Sequence, residues 1–438
     1  MKNKRKIIII IIVVFIIYSV GLYKLASNPT SIISTKTNDR YLARFIENYN
    51  ILKENWYYFT SEKEVIGAAT NAMVLSNEKN DVYTTYIPAE NSKEYFANME
   101  TEYVGLGVRY IKAGDYPLIA EVFIGSPAQK AKIQVGDSII QVDGKTTKGI
   151  ETEEIRKLIE GKVGEKRNLT LLRNNKQINI TVTLAQIESS ASYKIINQTG
   201  YLDISEFSNT TANEVERALK YFESKNIKKV IIDLRDNPGG YLTTLEKYKT
   251  VDNKQYKNNY VILVNGNTAS AGEAFTACLN ENLAIPIYGE KTFGKGIMQD
   301  FFKFPDDAYL KYTNAAWLTP KGHAINQKGI TPTNKINKSA IFSAASAVYN
   351  FDKDIKYDTV SSNLIAYQKA LKALGYQVDR EDGYYSSKTR QVIESFKQKY
   401  AMGNEKDLSR KVQAKIVERI FIEKNNEKND LVLNSVLK

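Results

Sequence analysis

The chain has 438 residues, 43% hydrophobic and 25% charged, which is enough for two to four domains and too apolar for wholesale disorder. Its formal charge is +12, but lysine and glutamate are interspersed, and outside the first six residues no dense basic block carries interleaved aromatics, which argues against a nucleic-acid partner. His323 is the only histidine and Cys278 the only cysteine, so paired zinc-ligating histidines and an intramolecular disulfide are both excluded, and no metal or cofactor is implied.

In chain order, Lys2, Lys4, Arg5 and Lys6 precede an uncharged run from Ile7 to Tyr23, 17 residues long. That is at the short end of what spans a bilayer, and the basic cluster keeps the N-terminus in the cytoplasm. Residues 1–24 therefore read as a cytoplasmic stub and membrane anchor, with a cleaved signal peptide as the rival. Lys24, three residues before Ser27, makes a poor cleavage site. Either reading places the remaining chain outside the cytoplasm.

Residues 38–100 read as helical: Leu42, Phe45, Ile46 and Tyr49 recur at three- and four-residue steps, and Val65–Leu75 repeats the habit. This segment carries no chemistry and suits packing or dimerisation, which leaves a homodimer open.

Between 101 and 188 the pattern changes to short strands. Val104–Ile111 contains two glycines, Leu118–Phe123 is apolar, and Ser138–Val142 ends at Asp143-Gly144. A helix is predicted near Thr152–Ile159, then a hairpin from Leu169–Arg173 and Gln177–Leu184 around Asn174-Asn175. Tyr103-Val104-Gly105-Leu106-Gly107-Val108, Ser126-Pro127-Ala128, Val135-Gly136-Asp137 and Val142-Asp143-Gly144 together resemble a PDZ domain. The resemblance implies a peptide groove at Val104, Gly105, Leu106, Gly107 and Val108, where backbone N–H groups converge on a terminal carboxylate and a strand augments the sheet.

From 189 to 338 strands and helices alternate: a strand at Gly200–Ser205, a helix at Thr211–Ser224, and buried-type strands at Lys229–Leu234 and Tyr260–Val264. The first buried strand breaks at Asn237-Pro238-Gly239-Gly240, where successive glycines let N–H groups face outward as an oxyanion hole requires. The second runs through Asn265-Gly266-Asn267-Thr268-Ala269 to Ser270 at a helix start, where the dipole favours developing negative charge, although an ordinary N-cap reads the same way. Further on, Lys295 stands between Gly294 and Gly296, with Gln299 on the same side. Lysine can replace histidine as the base for serine, provided that its pKa falls by roughly 3 from about 10.4.

This order of Pro-Gly-Gly, the serine turn, and Phe293-Gly294-Lys295-Gly296 with Gln299 resembles the C-terminal processing (tail-specific) serine peptidases, as do Leu318-Thr319-Pro320 and Gly329-Ile330-Thr331-Pro332. The resemblance covers about residues 40–335. It implies a mixed α/β, crotonase-like protease core with an inserted PDZ domain, cleaving peptide bonds of substrates with free, apolar C-termini. Ser270 is then the nucleophile, Lys295 the general base, Gln299 the residue that positions the lysine, and the N–H groups of Gly239 and Ala271 the oxyanion hole. His323 falls where the family commonly has arginine and takes no catalytic part. Three departures stand out. The stretch from Gly240 to Val261 is short for the family, Thr268 and Gly272 replace serines, and Glu160 replaces an arginine. The alternative is a catalytically silent PDZ scaffold.

Residues 339–360 show no clear pattern and read as a linker. Over 361–422, Tyr367-Gln368, Leu371, Leu374-Gly375-Tyr376, Asp382-Gly383, Thr389 and Phe396 resemble a helical peptidoglycan-binding domain, which implies the cell wall as a partner. The polar tail from Glu423 reads as loose.

Overall fold

The computed structural model describes residues 40–97, 103–187, 190–241, 259–348 and 353–437. The expected anchor over 1–24 lies outside them. Among the described residues no helix is long and apolar enough to cross a membrane. The chain divides into two compact units, one holding described residues 40–97 and 294–329, the other the remainder.

The first unit contains the helices Arg40–Asn55, Glu62–Leu75 and Ala89–Ala97. Ser61 caps the second of these by accepting the Glu64 N–H at 3.2 Å. A three-stranded antiparallel sheet places Tyr309–Ala316 between Thr85–Ile87 and Ile297–Lys303, with Tyr86 opposite Leu310 and Gln299 opposite Thr313. Phe96 packs edge-on against Tyr309 at 4.7 Å and lies 5.4 Å from Phe301, which fastens the third helix to this sheet. Arg40–Asn55 buries nothing: Leu42, Phe45, Ile46 and Leu52 are all exposed.

The second unit begins with a small barrel of strands ordered Val108–Ala113, Tyr116–Val122, Ser138–Val142, Lys166–Arg173 and Lys176–Thr183. Leu106, Ile119, Ile139, Leu169, Leu171 and Leu184 fill its core beneath the helix Thr152–Ile159. Asn174 and Asn175 both adopt positive φ, 49° and 62°, the turn that matches the twist of a two-residue hairpin.

A six-stranded sheet follows in the order Ala191–Ile196, Thr199–Ile204, Lys229–Asp233, Asn259–Val264, Ile287–Gly289, Asn334–Lys335; the first pair is antiparallel and the others parallel. Both faces are covered, as an apolar parallel sheet requires. Leu202, Ile204, Val230, Ile232, Ile262 and Val264 pack with Val215, Phe222 and Ala271 of the helices Thr211–Ser224 and Ala271–Leu283. Ile231, Val261 and Leu263 on the other face pack with Val432, Leu433 and Val436.

Those last three residues correct an expectation. The tail beyond Glu423 is ordered into a short turn of helix and the helix Leu431–Leu437, whose valines and leucines the polar run before it had masked. The linker reading is corrected as well. Ala340–Ala347 is a helix that buries Ile341, Ala344 and Ala345. It has only two turns of small residues, too little periodicity to register in the sequence. It packs with the helices Ser362–Ala373, Ser387–Lys399 and Arg410–Lys424, and Ala113, Leu118 and Ala120 of the barrel join the same apolar cluster.

Candidate active site

Two turns at the ends of the strands Lys229–Asp233 and Asn259–Val264 are laced together. Asn265 and Asn267 each donate a side-chain N–H to Asp236 at 2.8 Å, and Asn265 Oδ1 accepts the Asp236 N–H at 3.0 Å. Thr268 Oγ1 donates to the Leu234 carbonyl at 2.7 Å and the Ala269 N–H donates to the Asn237 carbonyl at 2.9 Å. Burial and hydrogen bonding compete at Asp236, and the amides together with Lys424 and Arg235 hold its carboxyl below the usual range.

Gly239 and Ser270 meet across this seam. At Gly239 φ is 106°, and a Cβ there would lie 2.7 Å from Ser270 Cβ and 2.9 Å from the Ala271 nitrogen. Only glycine admits that approach. Ser270 itself has φ 52° and ψ −118°, a costly conformation for a residue with a side chain, directly before the helix Ala271–Leu283. Its N–H donates to Glu273 Oε2 at 3.1 Å. Glu273 is fully buried, and its other oxygen accepts from Thr292 Oγ1 at 2.5 Å. Strain at a serine, a helix N-terminus and a pressed glycine thus coincide, and the structure brings Gly239, Ser270 and Ala271 together.

Lys295 and Gln299 lie in the other unit. The glycines beside Lys295 are needed sterically: a Cβ on Gly294 would meet the Gly329 nitrogen at 2.8 Å, and one on Gly296 the Asn326 nitrogen at 2.3 Å. Lys295 Nζ sits 4.4 Å from the centroid of the Tyr83 ring. Burial, and secondly the charge of Lys311, push its ammonium below the ordinary value. Gln299 Nε2 donates to Thr313 Oγ1 at 3.2 Å, and Thr313 Oγ1 donates to Asp81 Oδ1 at 3.1 Å. Asp81, Tyr83 and Thr313 were not singled out in the sequence. They come from distant stretches with no motif, so only the fold reveals them. His323 is exposed in a turn, its N–H donating to Thr319 Oγ1 at 3.1 Å. Cys278 is half-buried within the helix after Ser270. Among the described residues no cluster of acidic, histidine or cysteine side chains could hold a metal ion.

In the barrel, Gly107 has φ 74°, and a Cβ there would lie 2.4 Å from Ser126 Cβ. The Leu106 and Gly107 carbonyls accept N–H groups of Ala128 and Phe123 at 2.9 and 3.0 Å, fixing the loop Val104–Val108. Tyr110 OH donates to the Thr152 carbonyl at 3.2 Å, joining strand to helix. Glu160, in the place of the expected arginine, pairs with Arg156 at 2.9 Å. The shortened stretch after Gly240 falls largely on residues 242–258, outside those described.

The model of Peptidase family S41 matches residues 198–251 and 244–336, that of the PDZ domain residues 118–173, and that of a peptidoglycan binding domain residues 360–403. A protein of Staphylococcus saprophyticus named Probable CtpA-like serine protease is 31% identical over 466 residues, covering 100% of this chain and 94% of its own. The fold is similar to a photosystem II D1 C-terminal processing protease, at 19% identity and a TM-score of 0.40, over 67% of this chain and 86% of that one. A PDZ domain of a carboxy-terminal protease from Vibrio cholerae, solved with a peptide, is 27% identical with a TM-score of 0.19, over 20% of this chain and 98% of that one.

Proposed function

Because the chain belongs to Peptidase family S41, we propose that it is a membrane-anchored, extracytoplasmic serine endopeptidase with a Ser270–Lys295 dyad positioned by Gln299. The observation that carries this reading is the strained Ser270 at a helix N-terminus, with Gly239 packed against the Ala271 amide. In the mechanism, neutral Lys295 takes the Ser270 proton as Oγ attacks the scissile carbonyl. The tetrahedral oxyanion develops beside the amides of the glycine turn and Ala271. Lysine returns the proton to the leaving amine, and water then hydrolyses the acyl-enzyme. A lysine can do this only if its amine is neutral near working pH, and the downward push on Lys295 is in the required direction.

The PDZ domain would capture the free apolar C-terminus of a substrate in the groove lined by Val104–Val108, and the C-terminal helices would hold the enzyme to peptidoglycan. The apolar run in residues 1–24 supplies the anchor and its basic flank the orientation. The exposed apolar face of Arg40–Asn55 suits a homodimer.

Full-length wild type, Ser270→Ala and Lys295→Ala, purified in detergent, would each be incubated with an unfolded protein bearing an apolar C-terminus, free or amidated. Fragments appear with wild type alone, and more slowly from the amidated substrate. If all three bind the free C-terminus and none cleaves, the silent-scaffold reading replaces this one.

A further inference from the structure

The glycine turn holds one buried amide side chain, that of Asn237. Asn237 is completely buried and has a partner for each polar atom of its amide. Its Nδ2 donates to the Ile204 carbonyl at 2.7 Å, at the end of the neighbouring sheet strand. Its Oδ1 accepts the Gly239 N–H at 2.8 Å. Its own carbonyl accepts the Ala269 N–H at 2.9 Å, in the turn that presents Ser270. One residue therefore fastens the glycine turn to the sheet on one side and to the serine turn on the other.

The bond to Oδ1 also occupies the Gly239 N–H, so that amide is already spent. The next amide is oriented by a separate contact. The Gly239 carbonyl accepts the Phe207 N–H at 2.7 Å, and no cis peptide bond occurs among the described residues. In a trans peptide the C=O and the following N–H point in opposite directions, so the Gly240 N–H faces away from Phe207. Gly239 turns its Cα toward the serine turn, where a Cβ would lie 2.7 Å from Ser270 Cβ and 2.9 Å from the Ala271 nitrogen, so the peptide that carries the Gly240 N–H adjoins that turn. Gly240 is held on both sides, because the Tyr241 N–H donates to the Phe207 carbonyl at 2.7 Å, and with φ at 128° and a Cβ position 2.1 Å from that oxygen only glycine fits.

Resting on the protease reading above, we infer that Asn237 is the positioning residue of the oxyanion hole, and that by holding the Gly239 N–H it makes the Gly240 N–H, with that of Ala271, the pair that receives the oxyanion. This differs from the assignment to Gly239 that the sequence suggests. Asn237 touches neither substrate nor reacting atoms. It acts through the two turns.

The test uses full-length protein, a peptide substrate and a peptide aldehyde, whose hemiacetal with Ser270 places an oxygen where the oxyanion forms. With Asn237→Ala, kcat falls about 100-fold, the scale of one lost oxyanion donor, and aldehyde affinity falls in parallel, while KM stays within about threefold. A kcat within about threefold of wild type in the folded variant overturns the inference, as does a change confined to KM. Should the variant fail to fold, amide hydrogen exchange on wild type decides. Gly239 is protected with or without aldehyde, and Gly240 becomes protected only when aldehyde is bound; the reverse pattern overturns the assignment. A wild type that neither cleaves the substrate nor binds the aldehyde refutes the protease reading itself, which separates the two failures.

Discussion

Arg235 and Asp430, 195 residues apart in the chain, form a two-pronged ion pair at 2.7 and 2.8 Å. Arg235 also grips Asp233, its Nε–H shared between the two carboxylate oxygens at 2.9 and 3.0 Å and its Nη2 donating to Oδ2 at 2.5 Å, and Asp430 accepts the Leu433 N–H at 3.0 Å. The segment that ends in the glycine turn is thereby clamped to the C-terminal helix, whose Val432, Leu433 and Val436 cover Ile231, Val261 and Leu263. Asp430→Ala removes one partner of a buried pair and the helix cap together, at a cost of about 3 kcal/mol. The thermal midpoint falls by several degrees, and trypsin gains access at Lys428. A midpoint and digestion pattern equal to wild type would count against the clamp.

Much of the site was legible before the fold was known, because it is built from local backbone requirements. Glycines 239, 240, 294 and 296 stand where any Cβ would strike backbone or the serine turn, and such positions announce themselves as Gly-Gly and Gly-Lys-Gly. Alternating and 3.6-residue patterns likewise gave the barrel hairpin and the helix Thr211–Ser224 directly. What stayed hidden depends on partners far along the chain. Asp430 has no meaning without Arg235, Asp81 none without Thr313, and the apolar residues of Leu431–Leu437 none without the sheet face they cover. The helix Ala340–Ala347 is stabilised by burial rather than by its own pattern, so the sequence showed only a gap.

Asp203 sits in register with Asp233 on the adjacent parallel strand. Burial first, then the charges of Asp233 and Glu121, push its carboxyl up to about 8, against the opposing pull of Arg235 and Arg109. The folded chain thus keeps this proton until about pH 8, whereas the unfolded chain releases it near the ordinary value of about 3.9. Between those limits the folded state binds more protons, so stability from this group is present at low pH and is lost as pH rises. Asp203→Asn flattens that decline and makes the variant more stable than wild type at pH 8 and above. Thermal midpoints measured from pH 5 to 9 check it. Parallel curves for the two proteins would contradict the assignment.

Gly107 combines a φ of 74° with a Cβ position 2.4 Å from Ser126 Cβ, the residue whose Oγ accepts the Gln129 N–H at 3.1 Å. Gly107→Ala must displace the loop or the cap and costs about 1–2 kcal/mol in backbone strain alone. The loop Val104–Val108 moves with it, so affinity for a peptide with a free apolar C-terminus drops at least about tenfold, while the amidated peptide, weak from the start, changes little. Titration calorimetry on the full-length protein measures both. Unaltered binding of the free peptide would remove Gly107 from the groove.

Lys295 is held below its ordinary value by burial and then by Lys311, and the two causes can be separated. As the base, Lys295 works only as a neutral amine, so cleavage switches on as pH rises through its pKa. Taking away the Lys311 charge stabilises the ammonium, raises that pKa and moves the onset of activity to higher pH. Lys311→Gln therefore shifts the acid limb of the kcat/KM profile upward, leaves the alkaline plateau near wild type, and Lys311→Arg restores the original onset because the charge is retained. Lys311 lies on the strand Tyr309–Ala316, with Thr85 and Phe301 as its cross-strand neighbours, so the substitution leaves the glycines around Lys295 untouched. If the onset stays fixed in Lys311→Gln while Lys295→Ala is inactive, Lys311 does not tune the base and burial alone sets it. If the onset moves down instead, a different group is titrating and Lys295 is not the base.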